Sequence, residues 1–260
     1  MHDRASTCRA WTLAPDAGLR FRLQRSSSPG SETIDRAWKE MCAENERLFD
    51  GWFLSVEDWS PPETVNGRPG TGRAASPGLF SCRVERYRRL AVAGSVPECE
   101  SVRLLALTGV VTARDRGGIE HVLMGLRAAK TRMYGGLWEF APAGGVDPPG
   151  EGQTFDALLL RRVLVRELEE EVGLPAEALG ACDPVMVVLN EEARSYDVVM
   201  RTKLVVGLEE ARRRITGGSW EYERVEWVPV SGVHAFVRDH QLVPQGREMV
   251  RVLASDAAGK

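Results

Sequence analysis

No stretch of this chain is apolar for long enough to cross a membrane, and Met1 to Pro15 contains no hydrophobic segment of the secretory kind. These absences set the expectation of a soluble, cytoplasmic protein without a membrane partner. Cysteine is sparse and odd in number: Cys8, Cys42, Cys82, Cys99 and Cys182 are scattered, with no C-x-x-C pair. Neither a zinc site nor a disulfide framework is supported, and free thiols fit a reducing compartment. The histidines His121, His234 and His240 stand apart from one another and read as structural or surface residues. Charge of one sign is lacking too. Lys and Arg number 34 against 37 Asp and Glu, a net charge of −3. No broad basic surface follows, which argues against nucleic acid as a partner. Internal repeats are missing, and the one biased segment is the Pro-, Gly- and Ser-rich stretch from Ser60 to Gly78, read as a long exposed loop.

What is there is an ordinary globular composition, 43% hydrophobic and 27% charged over 260 residues. That is enough for one large domain or two modest ones with a real core. Gly18 to Leu23 alternates and reads as a strand, and Ser31 caps a helix through Thr33 to Arg47. Trp52 to Val56 and Leu79 to Arg86 read as partner strands. Arg86-Tyr87-Arg88-Arg89 reads as a solvated basic turn, with a phosphate contact as the alternative. Past Pro97 the pattern changes. Val102 to Ala113 and Glu120 to Leu126 form a β-hairpin about Arg116-Gly117-Gly118. Leu137 to Phe140 is a short strand before a Gly144-Gly145 loop. Further strands cover Pro184 to Leu189, Asp197 to Val206 and Val225 to Val230. A Ser231-capped helix runs to His240, and a last short helix covers Arg247 to Ala254. Strands on both sides of one central helix imply a mixed sheet between helices. The expected division is an N-terminal α+β extension, residues 1–98, packed on a second domain, residues 99–260.

The central helix is the informative element. Phe155 to Val165 is apolar and long-chained, and Arg166-Glu167-Leu168-Glu169-Glu170-Glu171-Val172-Gly173-Leu174 follows. At about 100° per residue, Glu167, Glu170 and Glu171 share an arc of roughly 100°, while Glu169 points elsewhere. Leu164, Leu168 and Val172 make the neighbouring apolar stripe. Like charges at this spacing destabilise a bare helix by a few tenths of a kcal/mol per pair. A hard divalent cation removes that cost, and Mg²⁺ takes oxygen ligands.

These residues resemble the Nudix box, G-x5-E-x7-R-E-U-x-E-E-x-G-U, where U is a bulky aliphatic. Arg166, Glu167, Leu168, Glu170, Glu171, Gly173 and Leu174 fill all the specified positions of its second half. Gly145-x5-Glu151 matches the first half, but fourteen residues separate Glu151 from Arg166 where the pattern has seven. A seven-residue insertion at the start of the helix, about two helical turns, accounts for the difference and leaves the role of Glu151 open. The resemblance covers about residues 100 to 258 and implies an α/β/α sandwich. Trp38, Arg47-Leu48-Phe49-Asp50, Tyr87-Arg88-Arg89, the enlarged gap and Asn190-Glu191 are similar to the branch that contains a UDP-glucose and UDP-galactose diphosphatase.

The resemblance implies a pyrophosphohydrolase cleaving a nucleoside diphosphate linked to another group, using Mg²⁺ or Mn²⁺. Its partner is a small-molecule nucleotide, with a UDP-sugar the first expectation and ADP-ribose the alternative. A nucleotide-binding or regulatory module without catalysis is the reading of a different class. Monomer and homodimer both remain open. The implied catalytic residues are Arg166, Glu167, Glu170 and Glu171, with the three carboxylates as metal ligands and Arg166 orienting a carboxylate. For substrate binding, the candidates are Gly144 and Gly145, which let the backbone approach closely, Arg127 and Arg132 with Lys130 on the path of the phosphates, Asn190, and Trp220 as a stacking residue. Tyr134 and Trp138 stack a base or pack the core, and core is favoured for Trp138. The general base stays open among Glu170, Glu171, Glu191, Glu192, Glu221 and Glu223.

Overall fold

The computed structural model describes residues 8–14, 18–24, 29–46, 48–62, 76–150, 155–215 and 220–257. The elements in chain order are β1 (Cys8–Thr12), β2 (Leu19–Gln24), α1 (Glu32–Glu44), β3 (Trp52–Ser60), β4 (Gly78–Arg86) and α2 (Tyr87–Ala91). Then come β5 (Leu104–Arg114), β6 (Glu120–Arg127), β7 (Trp138–Phe140), β8 (Ala143–Gly145) and α3 (Ala157–Glu167). The last are β9 (Leu179–Asn190), β10 (Ser195–Leu204), α4 (Leu208–Arg214), β11 (Tyr222–Pro229), α5 (Val233–Asp239) and α6 (Pro244–Ala257). None of the described helices is long and apolar enough to cross a membrane.

One mixed sheet carries the fold. Its main path runs β1-β9-β10-β5-β3-β4-β2, with β6 joining β5, β7 and β11, and β8 joining β5. β10–β5 and β2–β4 are parallel, and the other pairs are antiparallel. Helices cover both faces. Leu160, Leu164, Leu168 and Val172 pack with Leu208 and Ala211 of α4 on one face. Val233 of α5 and Met249, Val250 and Leu253 of α6 pack with Val110, Met186 and Val199 on the other. This is an α/β/α sandwich. The apolar stripe expected at Leu164, Leu168 and Val172 is buried as the spacing required.

The N-terminal strands do not form a sheet of their own. β1 pairs with β9 at one edge, and β3 meets β5 at Ser55↔Leu104 on the other. Leu54, Val56, Trp59, Phe80 and Cys82 lie in the same hydrophobic cluster as Leu105 and Leu164. A third cluster seats Ile34 of α1 on Phe53, Leu90 and Val102.

Several expectations change. Arg86-Tyr87-Arg88-Arg89 is no solvated turn. Arg86 and Arg88 both pair with Asp50, Arg88 also reaches Asp35, and Arg89 is buried against Glu85. Acidic neighbours, Asp35 and Asp50 distant in sequence and Glu85 one turn away, have drawn the cations inward. α5 is capped at Gly232 rather than Ser231, because a short 3₁₀ turn, Val230–Gly232, precedes it. α6 is longer than expected because it starts with Pro244, a residue suited to a helix N-terminus. α3 starts at Ala157, where the Asp156 carboxylate accepts from the amides of Leu158 and Leu159 at 2.9 and 3.3 Å. The described part of the insertion ahead of α3, residues 155–156, is therefore not helical. Glu151, the Thr216 to Ser219 loop, most of the Ser60 to Gly78 loop and Arg47 lie outside the described residues.

Candidate functional site

The Gly144-Gly145 segment is β8, a short strand on β5 with the register Leu107↔Gly144. α3 crosses directly over it. The Glu167 carboxylate lies where a Cβ on Gly144 would stand, so a side chain at this position would have to push that carboxylate aside. Gly145 is under no such pressure, since its nearest neighbour would be Leu104 Cδ1 at 3.5 Å. Gly144→Ala therefore displaces Glu167 and lowers kcat at least tenfold, whereas Gly145→Ala stays within a fewfold of the parent; steady-state kinetics on the two variants check this.

At Leu168 the helix widens into a π turn, Leu168–Val172, which ends at Gly173 with φ 78°. Such wide turns recur at functional sites because they re-aim side chains without breaking the helix. Here the turn separates the carboxylates. Glu167 and Glu171 are buried, while the Glu170 side chain is 66% exposed. Glu169 also faces outward and accepts from the amide of Ala176 at 3.1 Å, tying down the chain beyond the turn.

Arg166 organises the first carboxylate. It pairs with Glu167 and with Asp147 and approaches the Gly145 carbonyl at 3.4 Å; its Nε is 3.9 Å from Glu170. Burial works against its charge, but Glu167 and Asp147 raise its pKa all the same. Glu171 accepts at Oε2 from the amide of Ala143 at 3.3 Å, and its Oε1 is buried with no partner. Burial raises the pKa of Glu171, and the Glu221 carboxyl, within hydrogen-bonding reach, raises it further, as do Glu167 and Glu139. Glu167 is raised as well, chiefly by burial, with Arg166 opposing and Glu221 and Glu170 adding to it.

Among the described residues no three acidic, His or Cys groups are close enough to hold a metal ion as they stand. The donor set nevertheless fits a hard divalent cation. It consists of carboxylate oxygens, one of them buried and unpartnered, whose mutual repulsion a cation would relieve.

The other sequence candidates fall in different places. Of the four later glutamates considered as bases, Glu221 is the one that acts on both Glu167 and Glu171. Glu191 pairs with Arg103 at 3.6 Å, Glu223 accepts from the Ala129 amide, and Glu192 lies by Tyr134. Trp220, 67% exposed, is the chain neighbour of Glu221. Arg127 is turned inward to the buried Glu139, and its Nε donates to the Met133 carbonyl at 3.1 Å. Arg132 donates to Tyr87 Oη at 2.9 Å and to the Ala91 carbonyl, bridging its loop to α2. Asn190 is fully buried. Its amide donates to Gln245 and to Tyr134 and accepts from Ala193, so it braces the end of β9 rather than facing an open cleft. Trp138 is buried against Phe236 and His240, in the core as favoured.

Sequence reading missed Glu139, Tyr222, Asp147 and Asp197. The signal for Glu139 was present: a carboxylate between Trp138 and Phe140 in a wholly buried strand. Asp197 is buried on β10, accepting from Ser195 Oγ at 2.6 Å and Thr108 Oγ1 at 3.4 Å. Burial pushes its pKa up to about 6 from an ordinary 3.8, against these hydrogen bonds. A carboxyl raised in the fold favours folding at low pH, and that contribution is lost as pH climbs from about 4 to 6. The loss at neutral pH is about 3 kcal/mol at 1.36 kcal/mol per unit. Asp197→Asn should therefore raise Tm by several degrees at pH 8 and by little at pH 4. A Tm difference independent of pH would show that the group ionises normally.

A mixed sheet between helices, with buried carboxylates on a helix crossing a diglycine strand, makes an α/β/α sandwich with an acidic site on one helix. Residues 104–253 match the family model described as NUDIX domain. The chain belongs to the Nudix family, and with it is a hydrolase of pyrophosphate bonds in nucleoside diphosphate derivatives. The first 103 residues lie outside the match. Among solved structures, a Nudix hydrolase from M. smegmatis is 21% identical, covering 60% of this chain and 86% of its own, with a TM-score of 0.43. A NUDIX hydrolase from Alicyclobacillus acidocaldarius is 15% identical (59% and 91%, TM-score 0.44). An Ap4A hydrolase from C. elegans is 17% identical (60% and 96%, TM-score 0.40). No curated protein matches the chain.

Proposed function

We propose that this protein hydrolyses a nucleoside diphosphate-sugar, a UDP-sugar before ADP-ribose, to a nucleoside monophosphate and a sugar 1-phosphate, using Mg²⁺ or Mn²⁺ held by Glu167, Glu170 and Glu171. The observation that carries the reading is the buried Glu171 carboxyl, with one unpartnered oxygen, set against Glu221 and Glu167. A protein that only bound a nucleotide would have no use for such repulsion. A bound divalent ion would neutralise the diphosphate and acidify water. Arg166 orients Glu167, and Gly144 leaves room for it. Glu221 takes the proton from the attacking water, since it stands beside the ligand carboxylates on a separate element.

The N-terminal strands support a role at the sugar or nucleoside side. The Leu54 amide donates to the Val146 carbonyl at 3.3 Å, which brings β3 alongside the diglycine strand. Two residues earlier, Trp52 is half exposed with the Arg86 guanidinium 4.6 Å from its ring, and Phe49 is exposed nearby in the chain. The test is a panel of UDP-sugars, ADP-ribose and nucleoside triphosphates with and without Mg²⁺. A UDP-sugar should give the highest kcat/KM, and excess chelator should abolish turnover. Cleavage that survives chelation overturns the metal-dependent reading, and a preference for ADP-ribose overturns the sugar assignment.

A further inference from the structure

β11 begins at the site and is fastened there by a buried polar lock. Tyr222, its first residue, pairs with Arg127, the last residue of β6. The Tyr222 ring fills the space over Gly125, where a Cβ would stand 2.5 Å from Cε1. Its hydroxyl donates to Glu139 Oε1 at 3.0 Å, and Arg127 Nη1 donates to the same oxygen. Glu139 is 2% exposed. On either side of Tyr222 the chain is held to the loop after β6, by backbone on one side and by a side chain on the other: the Ala128 amide donates to the Glu221 carbonyl at 2.7 Å, and the Ala129 amide to Glu223 Oε1 at 2.9 Å. The register then slips between Tyr222 and Arg224, so regular pairing does not hold this end of the strand.

A buried carboxylate with an arginine and a tyrosine is a poor way to stabilise a strand. Apolar residues of similar volume in its place are often neutral or stabilising. What such a lock supplies is a fixed position, because its hydrogen bonds admit one geometry where apolar packing admits several.

We infer that Glu139 is a positioning residue which, through the Tyr222 hydroxyl, fixes the carboxyl of Glu221 against Glu171. The inference rests on the reading of Glu221 as the proton acceptor. Neither Glu139 nor Tyr222 transfers the proton; both act by restricting where Glu221 stands. Arg127 balances the charge of Glu139 from the other side, and that accounts for its inward orientation.

The test is a double-mutant cycle on the full chain, with kcat, KM and Tm measured for Tyr222→Phe, Glu221→Gln and the double variant. Tyr222→Phe keeps the ring over Gly125 and removes only the hydroxyl. It should lower kcat about tenfold or more with KM unchanged, and amide exchange at Ala128 should quicken. In the Glu221→Gln background the same change should cost little further, since non-additivity marks residues that act as a unit. If the two losses multiply, Tyr222 does not act through Glu221 and the inference is overturned. If Glu221→Gln keeps full kcat, it is the proton-acceptor reading that fails. Should Tyr222→Phe not fold, Glu139→Gln and Glu139→Leu make the comparison. Gln retains an acceptor for the Tyr222 hydroxyl and should hold kcat well above Leu; equal losses in the two overturn the inference.

Discussion

Replacing Glu171 by glutamine is expected to lower kcat by about 10²–10³-fold, the usual effect of deleting one preorganised electrostatic contact, and not to lower Tm. The two outcomes come from the same geometry. The Glu171 carboxyl is buried, carries an oxygen without a partner and faces Glu221 and Glu167, so its charge opposes folding. Gln keeps the shape and the bond from Ala143 while removing the repulsion. A divalent ion should raise the parent's Tm, because a ligand that binds only the folded state stabilises it in proportion to the logarithm of its concentration. That gain should shrink in Glu171→Gln. Glu167→Gln should follow closely. Glu170→Gln should fall less, since two-thirds of its side chain is in solvent, where counter-ions screen it. Glu169→Gln should be near neutral in kcat, because this carboxylate faces away and its bond to the Ala176 amide survives as an amide oxygen. If Glu169→Gln proves as damaging as Glu171→Gln, the helix is not presented as described, and the site loses its geometric basis.

What could be read from the sequence depended on how local the cause was. The helix at α1, the β5–β6 hairpin and the apolar stripe of α3 follow from spacing and caps, and the structure has them close to where the residues place them. The Gly144–Glu167 contact was legible as a class of feature, since glycine is what a close backbone approach requires, but not which of the two glycines it used. The split of the acidic run into buried Glu167 and Glu171 and a rim-side Glu170 was not legible. It depends on a π turn, and an ideal period puts all three on one arc. Glu221 was one of several loop carboxylates. What singles it out is the pairing of β11 with β6, a contact between Tyr222 and Arg127 across nearly a hundred residues of chain. Asp147 meets Arg166 from the irregular segment after β8, where no repeat or period gives guidance.

The other large effect concerns the residues outside the family match. A truncated protein starting near Ser101 should be insoluble or molten rather than a smaller active enzyme. The sheet explains why. Without β3 and β4, the edge of β5 next to β8 loses the bonds that Val56 and Ser55 make with Arg103 and Leu104. Without β1, all of Met186 to Asn190 on β9 becomes an open edge, a template for aggregation. Leu54, Val56, Trp59, Phe80 and Cys82 would leave the cluster that also contains Leu105, Leu164 and Tyr196. At about 1.5–3 kcal/mol for each large apolar side chain buried, their loss approaches the 5–15 kcal/mol by which a domain is stable at all. The expected observations are dye binding to exposed apolar surface, loss of near-ultraviolet circular dichroism and no turnover. A soluble fragment 101–260 with a cooperative melt and unchanged KM would show that the N-terminal strands are an appendage. It would also remove Trp52 and Arg86 from any part in substrate recognition, since neither would then be present where the diglycine strand meets β3.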